Sequence, residues 1–491
     1  MAYSLINDNP YVSALQLSNN PNDGSNAFED KALAESAIGY KPAVARAEEI
    51  LIKHIEWVNG GLRSSEHVGP VLIGDLGEVL RNFHHFQFAL PEVDIHYAVK
   101  ANSEPLLIRL LVNAGSSFDC AGMAEVKLVL EMGGDPAKII WAHPRCAPEQ
   151  LSEAWSTGVK YAVFDSSRDL INAQMYYPQM KFLIRITVDD SGSKVPLAKK
   201  FGIRAQQVPK LLGEAKARGL DVVGVAFHVG SDSHNPHSFA TAIEDARKTF
   251  AEGTKHGFRF NVLDLGGGYT QAAFNDMAAT IRDSLDKHFP TRHDMRVIAE
   301  PGRFLVSSAF VLGARVIGEK PEETEISEAE DSDSGRMIDL NDGVYGNLAN
   351  TVSDGQERTP IILSKKDPSN NLVKYNMIWG PTCDSFDKLT PSELPGLLQF
   401  GDWVYFEDQG AYTIACTTTF NGNAPARIIW TSTQDEVYHL LDLKWKLRLY
   451  ESNFLFRLDF VVFLLKLCLY WIFNGPLSLL GRRKRAAIAL D

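Results

Sequence analysis

Residues 262–268 read VLDLGGG and residues 297–303 read VIAEPGR. Each is a short apolar run ending in a glycine-bearing tip, and a segment long enough for a helix follows. Six earlier runs share the form: HYAVKAN near 97, SFDCAG near 118, IIWAHP near 140, YAVFDS near 163, KFLIRI near 184 and GVAFHVGS near 226. Strands alternating with helical segments predict a parallel sheet, and eight such units predict a closed (β/α)8 barrel of the TIM type. An open doubly wound sheet is the alternative. In a barrel the strand C-termini carry the active site, and phosphate groups often sit on the loops after the seventh and eighth strands. Those loops hold Gly266-Gly267-Gly268 and Glu300-Pro301-Gly302-Arg303, which favours the closed barrel.

Outside these units the pattern changes. Residues 1–40 are polar, lack periodicity and are expected to be a disordered extension. A helical stretch from Lys41 and a strand-like VLIGDL lead into the barrel, which is assigned to 41–305. Beyond it FLVSSAFVLGARVIG, YNMIWG, DWVYFED, AYTIACTTTF and ARIIWTS follow one another without helix-length gaps. They predict an all-β second domain, a sandwich or barrel, over 306–450. The acidic, Ser-rich stretch 319–335 cannot bury apolar surface and is expected to be a solvated loop. The tail 451–491 carries the apolar run FVVFLLKLCLYWIF and then Arg482, Arg483, Lys484 and Arg485. That run is shorter than the ~20 residues of a spanning helix, so packing on the body or a partner is expected rather than membrane insertion.

Composition narrows the class. The 491 residues are 45% hydrophobic and 22% charged, as in a soluble globular protein of two domains. A net charge of -12 argues against nucleic-acid binding and is compatible with a cationic substrate. The five cysteines, Cys120, Cys146, Cys383, Cys416 and Cys468, are odd in number and form no Cys-x-x-Cys pair, which fits reduced thiols in the cytoplasm and no metal site. No secretory leader is expected from MAYSLINDNP.

The chemistry lies at the strand ends. Three glycines at 266–268 let backbone N–H groups approach an anion, and a helix N-terminus following them would add to the attraction. Arg303 or its backbone would help from the next loop. Lys100 closes an otherwise apolar strand. A lone strand-end lysine more often snorkels to water. A phosphate cradle on the same rim favours a Schiff-base lysine and a cofactor bearing both an aldehyde and a phosphate. Glu300 could face the ring nitrogen of such a cofactor and hold it protonated. His228 could stack on the ring; a hydrogen-bonded core histidine is the bland reading.

With YAVKAN (97–102), FDCAG (118–122), VFDS (163–166), KFG (200–202), GVAFHVGS (224–231), LDLGGGY (263–269), AEPGRFLV (299–306), NDGVYGN (341–347), GPTCDSFD (380–387) and GAYT (410–413), the sequence resembles the eukaryotic ornithine decarboxylases. These are pyridoxal-phosphate enzymes of the alanine-racemase-like fold type. The resemblance implies that Lys100 binds the cofactor covalently, with Asp119 and Arg185 lining the site. It implies that His228 stacks on the ring, that Ser231, Gly268, Gly302, Arg303 and Tyr412 hold the phosphate, and that Glu300 pairs with the ring nitrogen. It further implies that Asp342 and Asp384 bind the distal amine of ornithine, and that Cys383 returns a proton to the α-carbon. Finally, it implies a homodimer in which the Cys383–Asp384 loop reaches the partner's site.

Some segments depart from that pattern. WAHPRC places His143 and Arg145 on the rim where the family more often has Asn-Pro. NDGVYGN continues as LAN, and the sequence after Arg427 fits poorly. A specialised paralogue, feeding putrescine to alkaloid formation instead of general polyamine synthesis, is one expectation these changes allow. Lysine, one methylene longer than ornithine, gives a mixed-specificity alternative. A catalytically inactive, antizyme-binding regulator is the non-enzymatic alternative, and the intact set Lys100, His228, Glu300, Asp342, Cys383 and Asp384 counts against it. Diaminopimelate would set a carboxylate against Asp342 and Asp384. A racemase shares only the fold.

Overall fold

The strands that carry the motifs close on themselves. In chain order they are β1 (Val71–Asp75), β2 (Val93–Ala98), β3 (Ser117–Cys120), β4 (Ile139–Trp141), β5 (Tyr161–Phe164) and β6 (Lys181–Arg185). There follow β7 (Ser193–Val195), β8 (Asp221–Ala226), β9 (Ser231–Ser233), β10 (Val262–Asp264) and β11 (Arg296–Ala299). The closed barrel runs β2-β3-β4-β5-β6-β8-β10-β11 and returns to β2 through the pairs Val297–Val93 and Ala299–Ile95. All eight runs read from the sequence are in it. The computed structural model describes residues 41–59, 68–321, 336–363 and 372–452.

Local chemistry sets the alternation of strand and helix. Asp75 caps the helix Leu76–Ala89 by accepting from Gly77 N (2.8 Å) and Glu78 N (3.3 Å). Ser166 and Asp169 form a capping box at the helix Ser167–Tyr176. Pro105 opens the helix Pro105–Asn113, which buries Leu106, Leu107, Ile108, Leu110 and Leu111. Each such side chain stabilises the outer layer by ~1.5–3 kcal/mol. Inside the barrel Ile140, Val163, Leu183, Val223, Val262 and Ile298 pack into a separate apolar cluster. That packing fills the barrel interior, and the polar chemistry lies at the strands' C-terminal ends.

The second sheet contains β12 (Phe310–Pro321), β13 (Arg336–Leu340), β14 (Ile361–Ile362), β15 (Leu372–Trp379), β16 (Lys388–Leu389), β17 (Ser392–Pro395), β18 (Trp403–Phe406) and β19 (Arg427–Thr431). Its order is β14-β18-β12-β13-β15-β16, with β17 on β15. β1 completes it, antiparallel to β12 and parallel to β19. The lead-in grouped with the barrel at 41–305 is therefore split. VLIGDL joins the second sheet, and the helix Pro42–Asn59 buries Ala47, Ile50 and Leu51 in a cluster with Ile73 and Val311.

Two strand expectations fail locally. In FLVSSAFVLGARVIG, Arg303–Val306 is helical and the strand starts only at Phe310. AYTIACTTTF forms short turns, because Tyr412 has φ +57° and Thr hydroxyls bond nearby carbonyls: Thr413 to Gln409 O (2.6 Å) and Thr417 to Thr413 O (3.1 Å). The start of the expected acidic loop is strand as far as Pro321, and its remainder lies outside the described residues. So do the extension 1–40 and the tail from 453. No helix among the described residues is long and apolar enough to cross a membrane.

Candidate active site at the barrel mouth

Lys100 follows β2 in a single turn, Val99–Ala101, tied on three sides. Ala98 N donates to Pro301 O (3.2 Å) and Tyr412 N to Ala101 O (2.9 Å). Asn102 Nδ2 donates to Gly410 O (3.0 Å). The turn is thus fixed to the eighth barrel loop and to the GAYT segment. Lys100 Nζ donates to Asp119 Oδ2, on the neighbouring strand β3. Burial works against the ammonium, but Asp119 and then Glu300 outweigh it and raise the lysine above its ordinary pKa.

Opposite stands a glycine-lined cup. Gly266 (φ +62°) and Gly268 (φ +114°) lie in the left-handed region. A Cβ on Gly267 would fall 2.8 Å from His228 Nε2 and 2.9 Å from Glu300 O, and one on Gly268 2.6 Å from Gly230 O. Only bare backbone fits here. The helix expected directly after the glycines starts later, at Phe274, so its N-terminus is not at them. Arg303 is 9% exposed; its Nη2 donates to Ser231 Oγ (3.2 Å) and to Asp354, and its guanidinium lies 5.0 Å from the centre of the Tyr412 ring.

Two buried carboxyls, Asp264 at the end of β10 and Glu300 just after β11, complete the site. Burial, then Asp119 and Asp264, push Glu300 well above the usual carboxylate range. Burial likewise pushes Asp264 up to about 7, against the hydrogen bond it accepts from Gly266 N. Like charges this close and this dry do not both ionise, so at neutral pH the pair keeps a proton. His228 Nδ1 accepts from Gly230 N (3.1 Å), which puts the ring proton on Nε2. Burial, then Arg185 and Lys100, push its pKa well below the usual value, so the imidazole is neutral. Arg185, at the end of β6, lies over the Phe201 ring at 4.8 Å.

One cavity of about 300 Å³ is lined by Lys100, His228, Ser231, Gly268, Glu300, Gly302, Arg303 and Tyr412. Asp119 reaches it through Lys100, and Arg185 through its charge on Glu300 and His228. Asp342, Cys383 and Asp384 do not line it. Asp342 is buried beside a second cavity of about 320 Å³. The exposed Cys383 has its N–H on Asn421 Oδ1 (3.0 Å), and Asp384 accepts from Tyr345 OH. Within one chain these three stand apart from Lys100.

A family model for the pyridoxal-binding domain of pyridoxal-dependent decarboxylases matches residues 76–307. Ornithine decarboxylase of Schizosaccharomyces pombe is 39% identical over 74% of this chain and 83% of its own length. The chain belongs to the pyridoxal-dependent decarboxylases. The antizyme inhibitor 2 of Xenopus laevis is 38% identical to this decarboxylase, over 75% of the chain and 82% of the relative. Among solved structures, the agmatine-bound arginine decarboxylase of Paramecium bursaria Chlorella virus superposes with a TM-score of 0.70 at 31% identity, over 77% of this chain and all of that one.

The cavity of this decarboxylase fits pyridoxal phosphate on its own evidence. Three buried polar atoms of the site, Glu300 Oε1 and Arg303 Nε on residues lining the cavity and Asp119 Oδ1 behind Lys100, have no hydrogen-bond partner. Buried groups rarely stay so unless something completes them. The glycine cup offers bare backbone to a phosphate, Lys100 an amine to an aldehyde, and the raised carboxyls a partner to a basic ring nitrogen.

Several participants were not singled out in the sequence. Asp264, a carboxylate inside an apolar strand, was visible in VLDLGGG and could have been flagged by the cost of burying it. Asp232 at φ +56° and Asp354, which pairs with Arg303, carried no signal, because backbone conformation and a contact 51 residues apart are not written in spacing.

Proposed function

We propose that the protein releases carbon dioxide from L-ornithine and yields putrescine, the entry to polyamines. The observation that carries this reading is the single cavity holding Lys100, Glu300 and the glycine cup, with buried Asp342 and half-buried Asp384 available for a cationic tip. Pyridoxal phosphate, when bound, supplies the sink for the electron pair left by the departing carboxylate. The protein's part is placement. Lys100 presents the amine that tethers the cofactor. Glu300 and Asp264 keep a proton within reach of the ring nitrogen. His228, neutral, offers a flat face beside the Gly267 backbone. Asp342 and Asp384 favour a substrate with a second amine through charge-assisted hydrogen bonds. Cys383 supplies a proton to the α-carbon.

The separation of Cys383 and Asp384 from Lys100 supports a homodimer with shared sites. Mixing equal amounts of Lys100→Ala and Cys383→Ala protein tests it: about half of the reassorted dimers carry one intact site of two, so the mixture should recover about a quarter of wild-type activity. No recovery after reassortment would remove the shared site.

Substrate choice is tested by carbon dioxide release from ornithine, lysine and arginine, with Lys100→Ala as control. Ornithine should be preferred. Equal rates on lysine would give the mixed-specificity enzyme, since one methylene separates the substrates by only about 1–3 kcal/mol. The relative named antizyme inhibitor 2 supports antizyme as a partner; a pull-down with purified antizyme tests that. Absence of both release and cofactor capture would favour the inactive regulator. A cytoplasmic location is proposed from the odd number and wide spacing of the cysteines and is checked by fractionation.

A further inference from the structure

Asp232 places a side chain where glycine is usual. Its φ is +56°, and it follows Ser231 directly. It lines the same cavity as Gly267, Gly268 and Arg303 and is 7% exposed. Its Oδ2 accepts from Gln356 Nε2 at 2.9 Å. Lys194 Nζ lies 3.6 Å away and His234 Nε2 3.7 Å away. Burial alone would push this carboxyl up. The Gln356 hydrogen bond, Arg303, Lys194 and His234 outweigh it and hold the group below its ordinary value, so it is ionised at neutral pH.

The cup's own cation is already engaged. Arg303 Nη2 is shared between the Asp354 carboxylate and Ser231 Oγ. A phosphate entering the cup therefore meets an arginine paired with one carboxylate and a wall bearing a second. Its hold rests on backbone N–H groups and on what Arg303 has to spare. A left-handed non-glycine residue is strained and persists only where its surroundings fix it; the Gln356 hydrogen bond and the Lys194 ion pair hold the Asp232 side chain here.

We propose that Asp232 weakens the cup's grip on the phosphate of pyridoxal phosphate, so that this protein exchanges its cofactor with solution and its occupancy follows the free cofactor concentration. The inference rests on the assignment of this cavity to that cofactor. Its physical basis is repulsion between a fixed carboxylate and a phosphate in a partly dry pocket, where one charge is felt far more than in water.

The test uses the full chain stripped of cofactor. Wild type, Asp232→Asn and Asp232→Gly are titrated with pyridoxal phosphate and, in parallel, with pyridoxal, which lacks the phosphate. Capture on Lys100 is read by absorbance, and release is timed after dilution. Asn keeps the shape and tolerates the left-handed backbone, while Gly also relieves the strain, so failure of one variant to fold leaves the other. Both should bind pyridoxal phosphate about tenfold tighter and release it more slowly, as removal of one nearby like charge predicts, and pyridoxal should bind as in wild type. Unchanged or weaker affinity for pyridoxal phosphate would overturn the proposal. So would an equal gain for pyridoxal, which would place the effect at the lysine. If wild type captures neither compound, the cofactor assignment itself fails, and the inference with it.

Discussion

Lys100 Nζ rests on Asp119 Oδ2 across two adjacent barrel strands, and Asp119 is fully buried beneath it. The carboxylate keeps the lysine protonated against the cost of burial. Imine formation needs the free amine, so Asp119 also restrains capture at low pH. In Asp119→Asn the lysine pKa should fall, because burial then acts with only Glu300 and Tyr412 left to oppose it. The pH midpoint for cofactor capture by the stripped protein should then move down, as read by absorbance. An unmoved or higher midpoint would show that Asp119 does not control this amine.

Arg303 and Asp354 form a buried ion pair between the barrel and the segment after β13. Arg303→Ala should lower stability by ~3–5 kcal/mol, mostly by stranding the Asp354 charge. Adding Asp354→Asn should recover part of that loss in denaturant unfolding. Affinity for pyridoxal phosphate should stay about 10- to 100-fold below wild type in both, since the lost charge-assisted bonds are not restored. Full recovery of affinity in the double variant would exclude Arg303 as a phosphate ligand.

Glu300→Gln removes a carboxyl that burial raises well above the usual range, and the proton it shares with Asp264. The cofactor should still be captured by Lys100, while kcat falls by about a hundredfold, the scale of losing one preorganised electrostatic partner. Wild-type kcat in this variant would remove the ring-nitrogen role.

Burial raises Asp342 to about 6, although Gly343 N, Asn347 N and Asn347 Nδ2 all donate to it. The carboxylate is ionised above that pH and protonated below it, while the distal amine of ornithine stays charged throughout. The value of kcat/KM for ornithine should therefore fall about tenfold per pH unit below about 6. Asp342→Asn should lose that acid limb and run about a hundredfold lower at pH 8, for want of the charge-assisted bond. The same limb in the variant would assign it to another group.

The barrel was legible because its code is local. Eight apolar runs each end in a polar tip, strands of this kind bury both faces, and period and spacing suffice to count them. The motif residues Lys100, His228, Gly268, Glu300 and Arg303 were equally legible, since each sits at a strand end and strand ends converge at one mouth. Distance along the chain hid the rest. β1 lies before the barrel in sequence, yet hydrogen-bonds β12 and β19 after it, because an unpaired strand edge is satisfied by whichever backbone the fold brings alongside. AYTIACTTTF has strand composition but turns, because Tyr412 is left-handed and threonine hydroxyls take the carbonyls. The sequence by itself determined the barrel, its cofactor chemistry and the family. Only the tertiary structure decided the charge state of the site: which carboxyls share a proton, which carboxylate engages Arg303, and that Asp232 faces the cup. Those depend on burial and on through-space distances of a few ångströms, which no linear spacing encodes.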